Sequence, residues 1–298
     1  MRVGFTLPSL GQLAHQPREI SRFAAEAERL GAASFWVGDR LLAPAEPTVG
    51  YGGTMEIPEA FQSILDPFAV LAVAAAATRT AAVGTNVLNA PWYAPALLAR
   101  SLTTIDLISG GRLVAGFGTG WSPEEYRAVG IPMNERGARL DECLDALNAL
   151  WAGSPAAHEG RFWSVPATHV KLGPAQAPRP PVYLGGYAQA ALRRAGRRAD
   201  GWLPVTVPGR QAFDPAAITA PMRQIETFAA EHGRDPGELD MILRVYPQGA
   251  ATVDDTVEFL VRAEREAGVT HAFVEMMNLA EDVDQALEIV DRVIRQRA

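Results

Sequence analysis

The chain has 298 residues, enough for two average domains or one large α/β barrel, and enough to bury a substantial core. Its 27 Lys and Arg stand against 34 Asp and Glu, a formal net charge of −7, which argues against nucleic acid or an anionic membrane as the main partner. Cys143 is the single cysteine, which excludes a disulfide framework and a thiolate zinc site, and no apolar run approaches the ~20 residues of a membrane span. The N-terminus goes straight into a strand with no signal peptide, so the expectation is a cytoplasmic protein.

Residues 3–7 read as a first strand, ending at Pro8. Pro17 opens a helix, with Ile20, Phe23, Ala24, Ala27 and Leu30 at helical spacing and Gly31 after its end. Residues 34–37 read as a second strand and stop at Gly38-Asp39-Arg40. The stretch 41–63 is rich in Pro and Gly and has no period. It is too long for an ordinary connection and reads as an insertion with the character of a lid. Asp66-Pro67 starts a helix, 81–87 is a third strand, and Pro95 opens a helix that Ser109-Gly110-Gly111 ends.

Leu113, Val114 and Ala115 form a short apolar run that opens into glycines at alternate positions, Gly116, Gly118 and Gly120. Trp121 and a helix start, Ser122-Pro123-Glu124-Glu125, follow. A long amphipathic helix is predicted over 136–151, and 154–181 reads as an irregular insertion with a hairpin near 158–165. Strands at 182–184, 201–205, 241–246 and 271–275 then alternate with helices at 189–199, 215–232, 253–267 and 283–296. Eight strand-helix units without a mid-chain linker predict one domain over 1–298. It is read as an α/β, eight-stranded (β/α)8 TIM barrel with insertions at about 41–63, 121–134 and 154–181.

In such a barrel the chemistry sits at the C-terminal ends of the strands. Two glycine turns fall there, 118–120 and 185–186, each ahead of a helix, where free backbone N–H groups suit a phosphate. Tight strand-to-helix packing explains the same glycines, and spacing alone does not separate the two. The arginines of the helix after Gly186 (Arg193, Arg194, Arg197, Arg198) lie beyond its first turn and read mostly as a solvated face. Asp39 could accept a hydrogen bond from a cofactor ring, or pair with Arg40 as an ordinary strand-end residue. The small and polar run Gly84-Thr85-Asn86-Val87 allows close approach of a flat ring. Trp92, Tyr93, Trp121, Tyr187 and Trp202 fall at strand mouths, which suits a conjugated ligand and equally suits packing. The five histidines show no ligand spacing, so no metal is expected; spacing leaves open a carboxylate pair such as Glu124 with Glu275.

The run 106–126, DLISGGRLVAGFGTGWSPEEY, together with ERGARLDE at 135–142, GTNVL at 84–88 and the LGG turn and ADGW ending of 181–202, resembles the luciferase-like monooxygenase superfamily over nearly the whole chain. It is particularly similar to the branch that uses coenzyme F420, a 5-deazaflavin hydride carrier. The resemblance implies an eight-fold barrel and a homodimer. It implies a cis peptide at Asn86-Val87 backing the ring beside Thr85, and Asp39 at the head group. Gly118, Thr119 and Gly120, flanked by Trp121 and Glu124, would lie along the linker and phosphate, and Gly185, Gly186 and Tyr187 would bind the phosphate. Asp39, Arg40 and Trp92 are the catalytic candidates. Some members carry histidine after that aspartate, as a base in sugar-phosphate oxidation. Arg40 stands here and stays protonated, which puts glucose-6-phosphate oxidation by that mechanism in doubt. The expected function is hydride transfer between F420 and a small organic substrate. The alternatives are an FMN-dependent monooxygenase fed by a separate reductase, and a deazaflavin-binding or flavin-binding protein without turnover.

Overall fold

The structure is a computed structural model that describes residues 1–297. Its sheet strands are short and largely buried, as parallel strands covered on both faces must be. In chain order the strands are β1 (Arg2–Thr6), β2 (Ser34–Val37), β3 (Ala82–Thr85), β4 (Leu88–Asn89), β5 (Leu113–Gly118), β6 (Ala156–Glu159), β7 (Ser164–Thr168), β8 (Val182–Gly185), β9 (Gly201–Leu203), β10 (Val205–Thr206), β11 (Asp240–Met241), β12 (Leu243–Val245) and β13 (His271–Val274). All but β6 and β7 join one parallel sheet of order β10-β12-β13-β1-β2-β3-β5-β8-β9-β11, with β4 beside β5. The two ends of that order share the same stretches of chain. β9 runs through Pro204 into β10, and β11 runs through Ile242 into β12. Ile242 N donates to Trp202 O at 3.1 Å and Arg244 N to Pro204 O at 2.8 Å, so the ladder continues across both breaks and the sheet curls back towards itself.

The alternation in the sequence predicts eight strands, and the sheet has eleven segments. Proline has no N–H to give to a ladder, so Pro204 divides one strand. Ile242 divides its neighbour, and β4 is a short extra piece after the turn at Asn86-Val87.

The helices are α1 (Ile20–Leu30), α2 (Pro67–Ala77), α3 (Pro95–Ser109), α4 (Pro123–Ala128), α5 (Arg136–Trp151), α6 (Gln189–Arg198), α7 (Ala216–Glu231), α8 (Val253–Ala267) and α9 (Val283–Arg297). Side chains set several of their starts. Asp66 Oδ1 accepts from Ala69 N at 2.8 Å, and Thr252 and Asp255 form a capping box. On the outer face α1 packs on α2, α2 on α3, α3 on α5, α6 on α7, α7 on α8, α8 on α9, and α9 on α1. Of the four arginines predicted for a solvated face on α6, Arg193 and Arg197 are exposed, and the other two join it to α5: Arg194 pairs with Asp141 at 2.9 Å and Arg198 with Asp145 at 2.5 Å.

The period of two in the strands creates two apolar layers. Phe35, Val37, Leu113, Ala115, Val182, Leu184 and Val274 face the helices and join the main core. The residues between them, Trp36, Val114, Tyr183 and Phe273, turn inward with Leu203 and Ile242. Trp36 stacks on Phe273 with ring centroids 4.6 Å apart. Gly84 makes the room, because a Cβ there would stand 2.6 Å from the indole. Cys143 lies in the outer layer, and burial pushes its thiol up to about 12. The native protein is therefore expected to resist thiol reagents at pH 8 and to react once unfolded, which a chromogenic disulfide assay reads directly.

The insertions are anchored by carboxylates, of which Glu125 is buried. Glu125 Oε1 accepts from Leu41 N at 2.8 Å, and Glu124 Oε1 accepts from Thr48 N at 3.0 Å. These bonds hold the start of 41–63, which continues through 3-10 turns at Tyr51–Gly53 and Glu59–Gln62. In 154–181, β6 and β7 form the antiparallel hairpin, seated on the Glu142 carboxylate of α5, which accepts from the N–H groups of Arg161, Phe162 and Trp163.

Candidate active site

The C-terminal ends of the strands open together into a cleft of about 480 Å³. β2 delivers Gly38, Asp39 and Arg40 to its wall. The turn between β3 and β4 delivers Asn86 and Val87, β5 delivers Gly118–Trp121, and β8 delivers Gly185–Tyr187. The two glycine turns, remote in sequence, border the same space.

The peptide bond between Asn86 and Val87 is cis. Val87 then stands between the two glycine strands. A Cβ at Gly118 would meet Val87 Cγ2 at 2.5 Å, and one at Gly185 would meet Val87 Cγ1 at 3.3 Å. These glycines make room for Val87, which is the packing explanation. Gly120 and Gly186 are required for another reason, since their φ angles of +66° and +115° lie in the left-handed region. Trp202 Nε1 donates to Gly186 O at 3.1 Å and fixes that turn. The Tyr187 hydroxyl accepts from Val205 N at 2.7 Å and donates to Val205 O at 2.9 Å, tying the turn to β10.

Asp39 is buried. Its Oδ2 accepts from Asn89 N at 2.8 Å, and the Tyr93 hydroxyl lies 3.1 Å from both carboxylate oxygens. Burial pushes its carboxyl up to about 6, against the opposing pull of those two donors. Arg40 is also buried. Its Nη2 stands 3.0 Å from Glu125 Oε2 as an ion pair without hydrogen-bond alignment. The guanidinium lies over the Trp121 ring at 4.3 Å and the Phe61 ring at 5.2 Å. Burial lowers the pKa of Arg40 and raises that of Glu125, each opposed by the partner's charge. Both polar atoms of the Asn86 amide are buried on the cleft wall without a protein partner.

Three expected site residues lie off the cleft wall. Thr85 Oγ1 exchanges hydrogen bonds with Gly116, donating to its O at 2.8 Å and accepting from its N at 2.9 Å, so it links β3 to β5. Trp92 packs edge-on against Tyr126 behind Gly120. Glu124 turns to the 41–63 insertion, where the Thr48 hydroxyl holds its carboxyl down at about 2. Glu275 is not poised for work beside Glu124. It accepts from Thr6 Oγ1 at 2.8 Å and from Arg244 Nη2 at 2.5 Å. Among the described residues no group of three or more His, Cys, Asp or Glu could hold a metal ion, and no helix is long and apolar enough to cross a membrane.

Leu10, Tyr51, Phe61 and Arg244 are among the other wall residues and escaped the sequence reading. Tyr51 and Phe61 sit in a stretch without period. Arg244 carried a usable signal, a charge inside the apolar strand run 241–246.

A parallel α/β sheet curled under a cleft at its strand ends is the layout of barrel-type enzymes. The chain belongs to the luciferase-like monooxygenase family, whose profile matches residues 1–292. It is 31% identical over 223 residues to an uncharacterised protein of Mycobacterium tuberculosis, covering 74% of each chain. It is 29% identical over 279 residues to the F420-dependent glucose-6-phosphate dehydrogenase of Microbacterium testaceum, covering 90% of this chain and 76% of that one. In fold it is similar to the monooxygenase RslO1 of Streptomyces bottropensis, with a TM-score of 0.78, 21% identity, and coverage of 99% and 97%.

Proposed function

We propose that the protein is an F420-dependent oxidoreductase that transfers a hydride between the deazaflavin and a small organic substrate. One observation carries the reading. Both glycine turns and the Asn86-Val87 turn border one cleft, and the buried Asn86 amide there has a donor and an acceptor unused. A flat heterocycle with donors and acceptors along its edge matches that amide, and backbone N–H groups of the two glycine turns suit a phosphate-bearing tail. When bound, the cofactor would give or take a hydride, two electrons with one proton, in one step. Gly118, Thr119 and Gly120 would flank the tail, Gly185, Gly186 and Tyr187 its phosphate, and Asn86, Val87 and Asp39 the ring. Arg40, with Trp121 and Phe61 on its guanidinium, would close the substrate side against water. We read the sheet as one eight-fold barrel domain, counting 201–206 and 240–245 as interrupted single strands. A homodimer and a separate enzyme that renews the reduced cofactor complete the proposal.

The rival is an FMN-dependent monooxygenase, supported by 34% identity over 156 residues, 51% of this chain and 40% of the other, to the FMNH(2)-dependent dimethylsulfone monooxygenase of Pseudomonas putida. Titrations of both oxidised cofactors, followed by fluorescence quenching, decide between them. F420 is expected to bind at least about tenfold tighter than FMN, a difference of about 1.4 kcal/mol. Tight FMN binding with none for F420 would overturn the choice. Hydride exchange with a panel of enones, imines and alcohols tests the remaining reading, binding without turnover.

A further inference from the structure

The cleft wall carries three ionisable side chains with a full charge at neutral pH, Asp39, Arg40 and Arg244. Neither arginine is a free cation. Glu125, fully buried, stands against Arg40, and Glu275, almost fully buried, stands against Arg244. Neither glutamate is part of the wall, so each carboxylate lies behind its guanidinium, out of reach of a ligand. Each pair presents donors with little net charge. Arg40 Nε and Arg244 Nε are buried and have no hydrogen-bond partner in the protein, whereas Arg40 Nη2 is turned to Glu125. Around them the wall is apolar and aromatic. Tyr51 packs edge-on against Phe61 with centroids 5.0 Å apart, and tilts against Trp121 at 5.5 Å. Leu10 and Phe61 continue that surface.

Such a chamber favours one kind of ligand. A phosphate or carboxylate would be stripped of water and would meet arginines whose charge is already cancelled from behind. An uncharged molecule with an acceptor oxygen loses far less water and still satisfies the unused N–H groups. Its carbon skeleton would lie on the aromatic wall.

We propose that the substrate chamber selects an uncharged, flat, largely apolar compound bearing a carbonyl-type oxygen, and that Glu125 sets this preference by neutralising Arg40. The inference deepens the oxidoreductase reading and rests on it only in giving the glycine turns to the cofactor. Two probes share a skeleton and differ in charge, benzalacetone and cinnamate. Calorimetric titration of the protein, with and without cofactor, is expected to give benzalacetone at least about tenfold the affinity of cinnamate. Glu125→Gln keeps an oxygen for the Leu41 amide and removes the charge, and is expected to shift that ratio towards cinnamate by about tenfold or more. Equal or tighter binding of cinnamate by the unaltered protein overturns the proposal. So does a folded E125Q protein whose ratio is unchanged. If E125Q does not fold, the ratio of the unaltered protein decides alone. The ratio is read without turnover, so failure of F420 to bind would remove the cofactor assignment and leave this outcome separately legible.

Discussion

Gly116→Ala is expected to cost the fold about 3 kcal/mol or more, seen as a Tm lowered by several degrees or as loss of soluble protein. A Cβ at this position would stand 1.9 Å from Thr85 O and 2.7 Å from Leu203 Cδ1. The first of these atoms is backbone, in the middle of the sheet, and it cannot swing aside. β3 and β5 would have to separate, and the two hydrogen bonds between Thr85 Oγ1 and Gly116 would go with them. Buried groups left unpaired cost about 1–3 kcal/mol each, which is as large as the steric cost. Gly118→Ala is the control from the same strand. Its Cβ would meet Val87 Cγ2 at 2.5 Å, the far end of a side chain that borders the cleft. Val87 can yield into that space, so G118A is expected to lose cofactor affinity with a smaller change in Tm. Thermal unfolding of both variants checks the pair. A G116A protein within a degree of the unaltered one would mean that the sheet accommodates the methyl group and that this close approach is not needed.

The same contrast explains what was legible in the sequence. Strong periodicity gave the helices at 136–151 and 253–267 their observed limits, because apolar residues at helical spacing leave little choice. Strands 34–37 and 113–118 announced themselves as buried apolar runs that end at special residues. The segment count did not, because a ladder interrupted at Pro204 and Ile242 depends on which strands become neighbours. The strand-end rule and the resemblance together placed Asp39, Arg40, Asn86, Val87 and both glycine turns, and all of these border one cleft. Thr85 directly precedes Asn86 of the wall, and Trp92 and Glu124 lie three residues beyond Asn89 and Trp121 of the wall, yet each points elsewhere. In a strand neighbouring residues face opposite sides, and on a short helix one step changes direction by about 100°. Tyr51 and Phe61 were beyond reach for the converse reason. Their position depends on the bonds from Glu124 and Glu125 to 41–48, long-range contacts with no local pattern.

Asp39→Asn is expected to stabilise the protein relative to the unaltered one as pH rises from 4 to 7, the difference in Tm growing by several degrees. The sign follows from the direction of the shift. The folded-state pKa of Asp39 is raised, from 3.8 to about 6, with burial as the main cause. Below about pH 4 the carboxyl is protonated in both states, and whatever it contributes is fully present. Between 4 and 6 the unfolded chain releases its proton while the folded one holds it, and stability falls as pH rises through the folded-state value. At 1.36 kcal/mol per unit, a shift of about 2 units amounts to an upper bound of about 3 kcal/mol lost by pH 7. Asparagine has no proton to lose and pays none of this. Its Oδ1 can still accept from Asn89 N, and its Nδ2 can donate to the Tyr93 hydroxyl, which now serves as acceptor. The measurement is the difference between two Tm profiles, so the other carboxylates, which titrate alike in both proteins, drop out. A difference that stays flat from pH 4 to 7 would mean that Asp39 is ionised throughout, held by the Asn89 amide and the Tyr93 hydroxyl more firmly than burial disfavours it. A rising difference means that Asp39 keeps its charge at neutral pH only at a cost to the fold. A ligand that brings a donor to this carboxylate would relieve that cost on binding, and the gain would be larger at pH 7 than at pH 5.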